Sequence, residues 1–408
     1  MRLAILVQRY GMDVNGGAEV LCREWASHLA ARADIESVTV LTTCARDHET
    51  WANHYPAGTE VLDGVTVERF PVLFERLTAL QNRLSALVMG TRWLPGFEPA
   101  WFVAQGPIAP GLLRRLVTAA RTREFDAYLF VGYLYATTVF ALPIVARRAV
   151  LAPTAHDERP IGLATFRALF RMPRAFAFLT PEERDFVHGR FHTRHKPCDV
   201  VGMGIDLVDD PQKEDSSLVP EDPYLLYVGR IESSKGFPRF YDELEAFRRA
   251  CGDRVMRARD GRSYLGKDLK LVLAGRAAWG DVPKSDHLLA LGFISEDQKR
   301  ALLRRAEALV LPSRFESLSI VLLEAWAQRC PVLVDGHCQV TVGQVERSSG
   351  GASFRGADEL TDVLCRMLQS PEQLREYGER GRAYVEANYT WPACMDRLAN
   401  LLKLVAAS

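Results

Sequence analysis

Short, continuous apolar runs alternate with amphipathic segments along most of this chain. In the first half, the runs that predict strands are residues 3–7, 38–42, 128–131, 150–153, 175–179 and 200–203. In the second half they are residues 224–228, 271–273, 291–294, 309–311 and 332–334. Runs of this length without alternation are typical of strands buried on both faces of a parallel sheet.

Helical periodicity fills the intervals between these runs. In the second half it predicts helices over residues 237–249, 296–306, 319–327, 357–368, 372–386 and 391–405. Strands that alternate with helices indicate the α/β class, because crossover helices cover both faces of a parallel sheet. The prediction is two Rossmann-like, doubly wound domains that face a central cleft.

A polar, proline-punctuated stretch at residues 208–223 interrupts the alternation and is typical of an interdomain linker. It predicts an N-terminal domain over residues 1–207 and a C-terminal domain over residues 224–390, followed by a last helix at 391–408. The chain of 408 residues is long enough to give each domain its own core.

Composition narrows the class of protein. Lys+Arg 51 balances Asp+Glu 51, so no global field favours nucleic acid. The 8 cysteines are scattered without a Cys-x-x-Cys pair, which predicts neither a disulfide framework nor a zinc site. The short apolar start lacks a signal-peptide pattern, and no apolar stretch has the length of a membrane span. These features predict a cytoplasmic protein.

Residues 73–102 break the strand–helix rhythm. Apolar side chains recur at helical spacing and an aromatic-rich loop follows; these residues are Leu73, Leu77, Leu80, Leu84, Leu87, Val88, Trp93, Phe97, Trp101 and Phe102. Arg76, Arg83 and Arg92 lie on or near the opposite face. One interpretation is a surface helix packed on the core. The other is an element that docks the acceptor or contacts a membrane surface peripherally.

The most informative segment runs from residue 308 to residue 326. An apolar run ends at Pro312, a short polar loop follows, and an amphipathic helix begins near Ser319. The first amides of such a helix can bind an anion. Glu316 stands in the loop and Glu324 lies inside the helix. Carboxylates beside an anion-binding helix start suit a ligand with hydroxyls and phosphates, such as a nucleotide sugar.

Two glycine-containing turns follow predicted strands. Gly16 and Gly17 come after the first strand and open a helix, where paired glycines let a ligand approach the backbone. Gly229 follows the first strand of the second half, with Arg230 and Lys235 close behind. Those two cations can converge on a diphosphate, since Arg offers a planar fork and Lys a point charge. A plain turn and a solvated basic loop are the alternatives.

Three further features have a functional and a plain interpretation. His156 ends a strand of the first half, where loops commonly carry function, although a lone histidine is more often structural. Gly350 and Gly351 are either a second point of close approach or a loop. No Asp-x-Asp triplet occurs, so the sequence predicts no metal site for a diphosphate and no cofactor.

Taken together, these motifs resemble the retaining glycosyltransferases of family 4, which have the GT-B fold. The resemblance covers nearly the whole chain. In chain order its motifs are Gly16-Gly17-Ala18-Glu19, His156-Asp157, Gly229-Arg230 with Lys235-Gly236, Leu291-Gly292-Phe293-Ile294, Glu316 with Glu324, and the C-terminal helix. Each motif alone has low specificity, but their order and spacing are specific.

The resemblance implies a role for each matching residue. Arg230 and Lys235 hold the donor diphosphate, Phe293 and Ile294 meet the base, and Glu324 binds the ribose. Glu316 binds sugar hydroxyls, the amides of Leu318 and Ser319 lie near sugar and phosphate, and Gly16 and Gly17 approach the phosphate. His156 contacts the sugar near the reacting carbon. The last helix crosses back onto the N-terminal domain.

The implied activity is transfer of a hexose from a nucleoside-diphosphate sugar to an acceptor hydroxyl, with retention and without a metal. The acceptor is a glycan, a lipid-linked molecule or a small molecule, in cell-surface glycan, glycolipid or related glycoconjugate synthesis. One departure is Ser319, where the family usually has glycine, and it leaves the donor sugar open. A non-hydrolysing sugar-nucleotide epimerase and a non-catalytic nucleotide-sugar-binding protein remain the alternatives. A nicotinamide-dependent oxidoreductase is disfavoured because its glycine fingerprint is missing.

Overall fold

The computed structural model describes residues 1–14, 16–90, 94–209, 215–276, 283 and 285–407. Arg92 and Trp93 of the aromatic segment, and residues 210–214 of the predicted linker, lie outside the described residues. Two compact units are present: Met1–Met203 with Trp391–Ser408, and Gly204–Thr390. The C-terminal helix therefore belongs to the first unit.

The first unit is built on one sheet with the order β3-β4-β2-β1-β5-β6-β7-β8. Its strands are β1 (Arg2–Leu6), β2 (Ser37–Thr43), β3 (Gly58–Leu62), β4 (Val65–Phe70), β5 (Ala127–Val131), β6 (Ala149–Ala152), β7 (Ala175–Phe178) and β8 (Cys198–Val200). All neighbours pair in parallel except β3 and β4. The strand order reverses direction between β1 and β5, which is where α/β sheets place their ligands.

Helices cover this sheet on both faces. They are α1 (Gly17–Ala30), α2 (Thr78–Val88), α3 (Glu98–Gln105), α4 (Pro110–Thr122), α5 (Ala136–Val145), α6 (Ala164–Leu169) and α7 (Pro181–Phe191). The chain's last helix, α14 (Trp391–Ala406), packs against α1 and strands β5 to β8. Its predicted apolar stripe is buried, including Leu398, Leu402 and Val405 at 0% exposure. Burial of this stripe attaches the end of the chain to the first unit.

The second unit holds a parallel sheet with the order β13-β12-β9-β14-β15-β16. These strands are β9 (Tyr224–Val228), β12 (Lys270–Ala274), β13 (Leu288–Gly292), β14 (Ala308–Leu311), β15 (Val332–Asp335) and β16 (Gly351–Phe354). A separate antiparallel pair consists of β10 (Val255–Arg257) and β11 (Ser263–Leu265). Here the order reverses at β9, so the loops after β9, β12 and β14 lie together.

Except for the helix at Gln339–Ser348, which was not predicted, the helices of the second unit follow the predicted positions closely. They are α8 (Phe237–Cys251), α9 (Glu296–Arg305), α10 (Ile320–Ala327), α11 (Gln339–Ser348), α12 (Gly356–Met367) and α13 (Pro371–Asn388). Helices α8 and α12 cover one face, where Phe240, Leu244 and Leu364 are buried. Both units are thus doubly wound α/β structures, as the strand–helix alternation predicts.

Several elements differ from the sequence prediction. The β3–β4 hairpin is not predicted by apolar runs, because β3 is almost entirely exposed. Gly350 and Gly351 are packing positions and not a point of ligand approach. A Cβ on Gly350 would lie 2.5 Å from Trp326 Nε1, and one on Gly351 would lie 2.1 Å from the carbonyl oxygen of Val332. Gly351 begins strand β16.

The segment of residues 73–102 forms α2 and part of α3, but only some of its apolar stripe is buried. Leu84 and Val88 face the core, whereas Leu73, Leu77, Leu80 and Leu87 are 65%, 41%, 45% and 38% exposed. Trp101 and Phe102 are buried. The helix is therefore packed on the core by one edge and presents a leucine-rich surface beside it. Among the described residues, no helix is both long and apolar enough to cross a membrane.

We expect Gly381→Ala to destabilise the protein. A Cβ at this position in α13 would lie 2.1 Å from Cδ1 of the fully buried Trp326. Overpacking of this kind lowers the free energy of unfolding by about 1–3 kcal/mol. Thermal and urea unfolding would measure the change.

The control is Gly189→Ala, on the exposed side of α7, where a Cβ meets nothing within 4 Å. Alanine there should stabilise the helix by up to about 1 kcal/mol. If both substitutions changed the free energy of unfolding in the same direction, the packing argument would be contradicted.

Candidate functional site

The predicted donor-binding residues of the second unit lie at the carboxyl ends of parallel strands. Arg230 and Lys235 follow β9, Phe293 follows β13, and Glu316 follows β14. Because β12, β9 and β14 are neighbours in the sheet, their connecting loops open at one edge. The sheet topology therefore collects residues that are far apart in sequence.

Lys235 and Glu316 are in direct contact. The Lys235 Nζ donates to Glu316 Oε1 at 2.8 Å, and the two side chains are 30% and 15% exposed. The adjacent Gly236 has φ 76° and its Cβ would lie 2.2 Å from the carbonyl oxygen of Pro312. Only glycine allows the loop after β9 to pack this closely on the end of β14. This contact places an ammonium and a carboxylate at one point of the strand edge.

Arg230 lies in the same loop but is not paired with these residues. It forms an ion pair with Glu232, with Nη2 and Oε1 separated by 3.2 Å, and its side chain is 57% exposed. Tyr227 Oη donates to the Arg230 carbonyl oxygen at 2.6 Å and fixes the backbone. The guanidinium thus stands at the surface on an anchored main chain.

The helix that begins after Glu316 is α10, with Ser319 as its N-cap. Ser319 is 4% exposed and its side chain makes no capping hydrogen bond. Leu318 is 8% exposed. The amides of the first turn are consequently not satisfied by this side chain, which leaves the helix start suited to an anion.

Glu324 is held by a lysine that the sequence reasoning missed. Lys299 Nζ donates to Glu324 Oε1 at 2.9 Å and to Glu296 Oε1 at 3.0 Å. Burial lowers the pKa of Lys299, but Glu324 and Glu296 together raise it above its usual value. Lys299 therefore stays charged and orients Glu324. The two glutamates, Glu316 and Glu324, have different partners.

Phe293 and Ile294 follow β13 at the same edge of the sheet. Phe293 is 74% exposed and Ile294 is half-buried. An apolar ring that is so exposed at the end of a strand is available to stack on a planar ligand. In the second unit, strand ends thus present cations, carboxylates and an aromatic ring together.

In the first unit, Gly16 and Gly17 stand at the start of α1, beyond the end of β1. A Cβ on Gly16 would lie 2.1 Å from Glu19 Oε2, whereas one on Gly17 meets nothing within 4 Å. Glu19 is buried and accepts hydrogen bonds from Gln8 Nε2 at 2.8 Å and from Arg9 Nε at 2.9 Å. The absence of a side chain at Gly16 therefore leaves room for the buried Glu19 carboxylate. At Gly17, the space that a Cβ would occupy at the helix start is open.

His156 belongs to a second cluster of the first unit, at the ends of β5 and β6. Its Nε2 lies 3.6 Å from Glu158 Oε2, and Tyr133 Oη donates to Glu158 Oε1 at 2.6 Å. Burial and the Glu158 carboxylate raise the pKa of Tyr133, which keeps this donor protonated. Tyr133 and Glu158 are further residues that motif reasoning missed, since neither belongs to a recognisable sequence pattern.

A cavity of about 550 Å³ lies near this cluster, within the first unit. It is bounded by the end of α2 and by the segment after His156, and the residues that line it are Val88, Met89, Gly90, Arg159, Gly162, Leu163 and Arg167. Its wall combines apolar side chains with two guanidinium groups. No cluster of three or more metal-ligating side chains occurs among the described residues.

Comparisons with known proteins show that this chain is similar to glycosyltransferases. Residues 208–384 match the family model described as Glycosyl transferases group 1. The alpha-D-kanosaminyltransferase of Streptomyces kanamyceticus is 29% identical over 316 residues, covering 71% of this chain and 78% of that protein.

Two solved structures share the fold over the whole chain. Sucrose-phosphate synthase from Thermosynechococcus elongatus superposes with a TM-score of 0.68 at 17% identity, covering 100% of both chains. Anabaena HepE in complex with UDP-glucose superposes with a TM-score of 0.65 at 16% identity, covering 99% of both chains. These likenesses confirm the predicted GT-B fold.

We expect Gly16→Ala and Gly17→Ala to differ in their effect on stability. Alanine at position 16 forces Glu19 away from Gln8 and Arg9, which should lower the free energy of unfolding by about 1–3 kcal/mol. Alanine at position 17 touches nothing and should change it by less than about 0.5 kcal/mol. Thermal unfolding of the two variants would measure this, and equal losses would contradict the assigned packing.

Proposed function

We propose that this chain is a group 1 glycosyltransferase, as the match of residues 208–384 and the kanosaminyltransferase relative indicate, and that it transfers a hexose from a nucleoside-diphosphate sugar to an acceptor hydroxyl with retention of configuration. The observation that carries the proposal is the Lys235–Glu316 pair beside the start of α10. It joins a cation, a carboxylate and the start of a helix within the segment that matches the family.

In this proposal the second unit binds the donor. Lys235, Arg230 and the amides of Leu318 and Ser319 neutralise the diphosphate, because charge-assisted hydrogen bonds and a helix start are the strongest anion ligands available. Glu316 accepts hydrogen bonds from sugar hydroxyls. These groups carry the negative charge of the leaving diphosphate as the glycosidic bond breaks.

The remaining donor contacts are made by residues that lie near the carboxyl ends of strands. Glu324, oriented by Lys299, accepts hydrogen bonds from the ribose hydroxyls. The exposed Phe293 ring and the backbone at Ile294 meet the base. HepE, which shares the fold, is described in complex with UDP-glucose. A uridine diphosphate sugar therefore belongs in the first donor screen.

For the chemical step we propose attack on the same face from which the diphosphate leaves. No described side chain of the site combines a nucleophile with an adjacent base, so a short-lived ion pair is favoured over a covalent intermediate. The leaving phosphate oxygen then accepts the proton of the acceptor hydroxyl. For the first unit, the family resemblance assigns His156 to the sugar and Gly16 with Gly17 to the phosphate.

Acceptor binding is assigned to the first unit. The cavity beside the His156 cluster supports this, because it offers both apolar and guanidinium contacts to an incoming molecule. A small-molecule, glycan or lipid-linked acceptor is compatible with the proposal.

The decisive test is Lys235→Ala. Loss of one preorganised charge contact typically costs about 3–4 kcal/mol of barrier, which corresponds to a fall in kcat of about 10²–10³-fold. Sugar transfer from a panel of nucleotide sugars, with product analysis, would measure it. Product formed without any acceptor would instead indicate an epimerase.

The matched control is Lys267→Ala, a lysine of the same unit that is 52% exposed and paired with Asp253 at the surface. Its variant should keep the wild-type kcat. If Lys235→Ala also keeps that rate in a correctly folded protein, the donor site lies elsewhere.

We further propose that the leucine-rich surface of α2 contacts a membrane peripherally. Leu73, Leu77 and Leu80 are exposed beside the exposed Arg83, and this pairing of apolar and cationic groups suits an anionic lipid surface. The contact would bring a lipid-linked acceptor to the first unit.

Flotation with vesicles of phosphatidylcholine and phosphatidylglycerol tests this second proposal. We expect the wild-type protein to bind and the Leu77→Ser/Leu80→Ser variant to lose most of its binding. Val61→Ser is the control, since Val61 is 69% exposed on β3. Equal flotation of all three proteins would show that the leucines have no such role.

A further inference from the structure

Glu183 carries a carboxyl group that is buried in the first unit, with the residue 1% exposed. It is the third residue of α7, and its backbone N–H donates to Oγ1 of the N-cap Thr180 at 3.2 Å. This is the spacing of a capping box, in which the glutamate usually serves its own helix. Here the side chain also reaches a neighbouring strand end.

The carboxylate joins the ends of two adjacent strands. Glu183 Oε1 accepts from the Ala155 N–H at 2.6 Å, and Oε2 accepts from the Leu179 N–H at 2.7 Å. Ala155 lies beyond β6 and Leu179 directly follows β7, which pairs with β6. One buried side chain thus fixes the loop that immediately precedes His156.

That loop is strained. Thr154, two residues before His156, has φ 52°, the left-handed region that a β-branched residue rarely adopts. Such a conformation costs about 1–3 kcal/mol and persists only when its surroundings hold it. The hydrogen bond from the next residue, Ala155, to Glu183 supplies a restraint at the required place.

The charge state of Glu183 matters to this restraint. Burial raises the pKa of Glu183 to about 8, while hydrogen bonds from the backbone of Leu179, Ala155 and Thr154 oppose the rise. The two backbone N–H donors favour the ionised carboxylate, whose oxygens both accept fully, while the protonated form keeps a weaker acceptor capacity. A glutamine side chain has only one acceptor oxygen. Its NH2 group would face one of the two backbone N–H groups, and two donors cannot form a hydrogen bond with each other.

We propose that Glu183 is the positioning residue of His156, holding the strained turn at Thr154 so that the imidazole stands where the sugar reacts. The inference rests on the proposed function for the role of His156. In this inference, the buried Glu183 does not contact the substrate. Its effect is therefore expected on the chemical step more than on donor binding.

The test compares Glu183→Gln with Glu182→Gln, the neighbouring half-buried glutamate. We expect Glu183→Gln to lower kcat about 10- to 100-fold, as small misplacements of catalytic groups do, with donor affinity by calorimetry unchanged. Glu182→Gln should match the wild type. A folded Glu183→Gln protein with wild-type kcat would overturn the inference.

A second readout does not depend on transfer activity. In protein labelled with ¹³C-histidine, the His156 ring signal is identified by its loss in His156→Gln. Glu183→Gln should shift or broaden that signal, and Glu182→Gln should not. If the wild type transfers no sugar, the proposed function fails, yet this spectrum still decides whether Glu183 positions His156; an unchanged signal rejects it.

Should Glu183→Gln fail to fold, Thr154→Gly/Glu183→Gln carries the test. Glycine adopts a positive φ without strain, so the turn no longer needs the carboxylate. We expect the double variant to fold and to recover thermal stability relative to Glu183→Gln. A double variant that stays unfolded would show that Glu183 is needed for more than this turn and would overturn the assignment.

Discussion

The parallel pairing of strands constrains everything else in this molecule. In each unit the strand order reverses next to the first strand, at β1 and at β9, so the connections after neighbouring strands meet at one edge. Every candidate residue of the site stands in or beside such a connection. The chemistry is therefore placed by backbone hydrogen bonds that the functional side chains do not make themselves.

Carboxyl groups held by specific donors are the second common feature of the two units. Glu19 and Glu183 are buried and Glu324 is half-buried; their donors are a guanidinium with an amide, backbone N–H groups, and an ammonium. Such groups are costly to bury without partners. Their satisfied geometry fixes the glycine turn at Gly16, the loop before His156 and the wall that carries Glu324. Rigid support of this kind is what a donor site needs.

Much of the fold could be predicted from the sequence, because uninterrupted apolar runs and helical stripes are local signals. The runs at β9 and β14, and the stripe of α14, are found where the pattern places them. The strand β3 was not predicted, since nearly all of its residues are exposed and it has no continuous apolar run. For the site, motif spacing identified Lys235 and Glu316. It could not find Lys299, Tyr133 or Glu183, whose partners Glu324, Glu158 and Ala155 lie 25, 25 and 28 positions away in the chain.

The amino-acid sequence by itself determined the α/β class, the strand ends that carry glycines, cations and carboxylates, and the family resemblance. The tertiary structure alone decided which of those groups touch. Lys235 meets Glu316 across 81 positions, and Ala155 meets Glu183 across 28. It also decided that Gly350 and Gly351 serve packing, while Gly17 is open. The physical reason is that hydrogen bonds and steric contacts depend on distance in space, which a one-dimensional pattern does not contain.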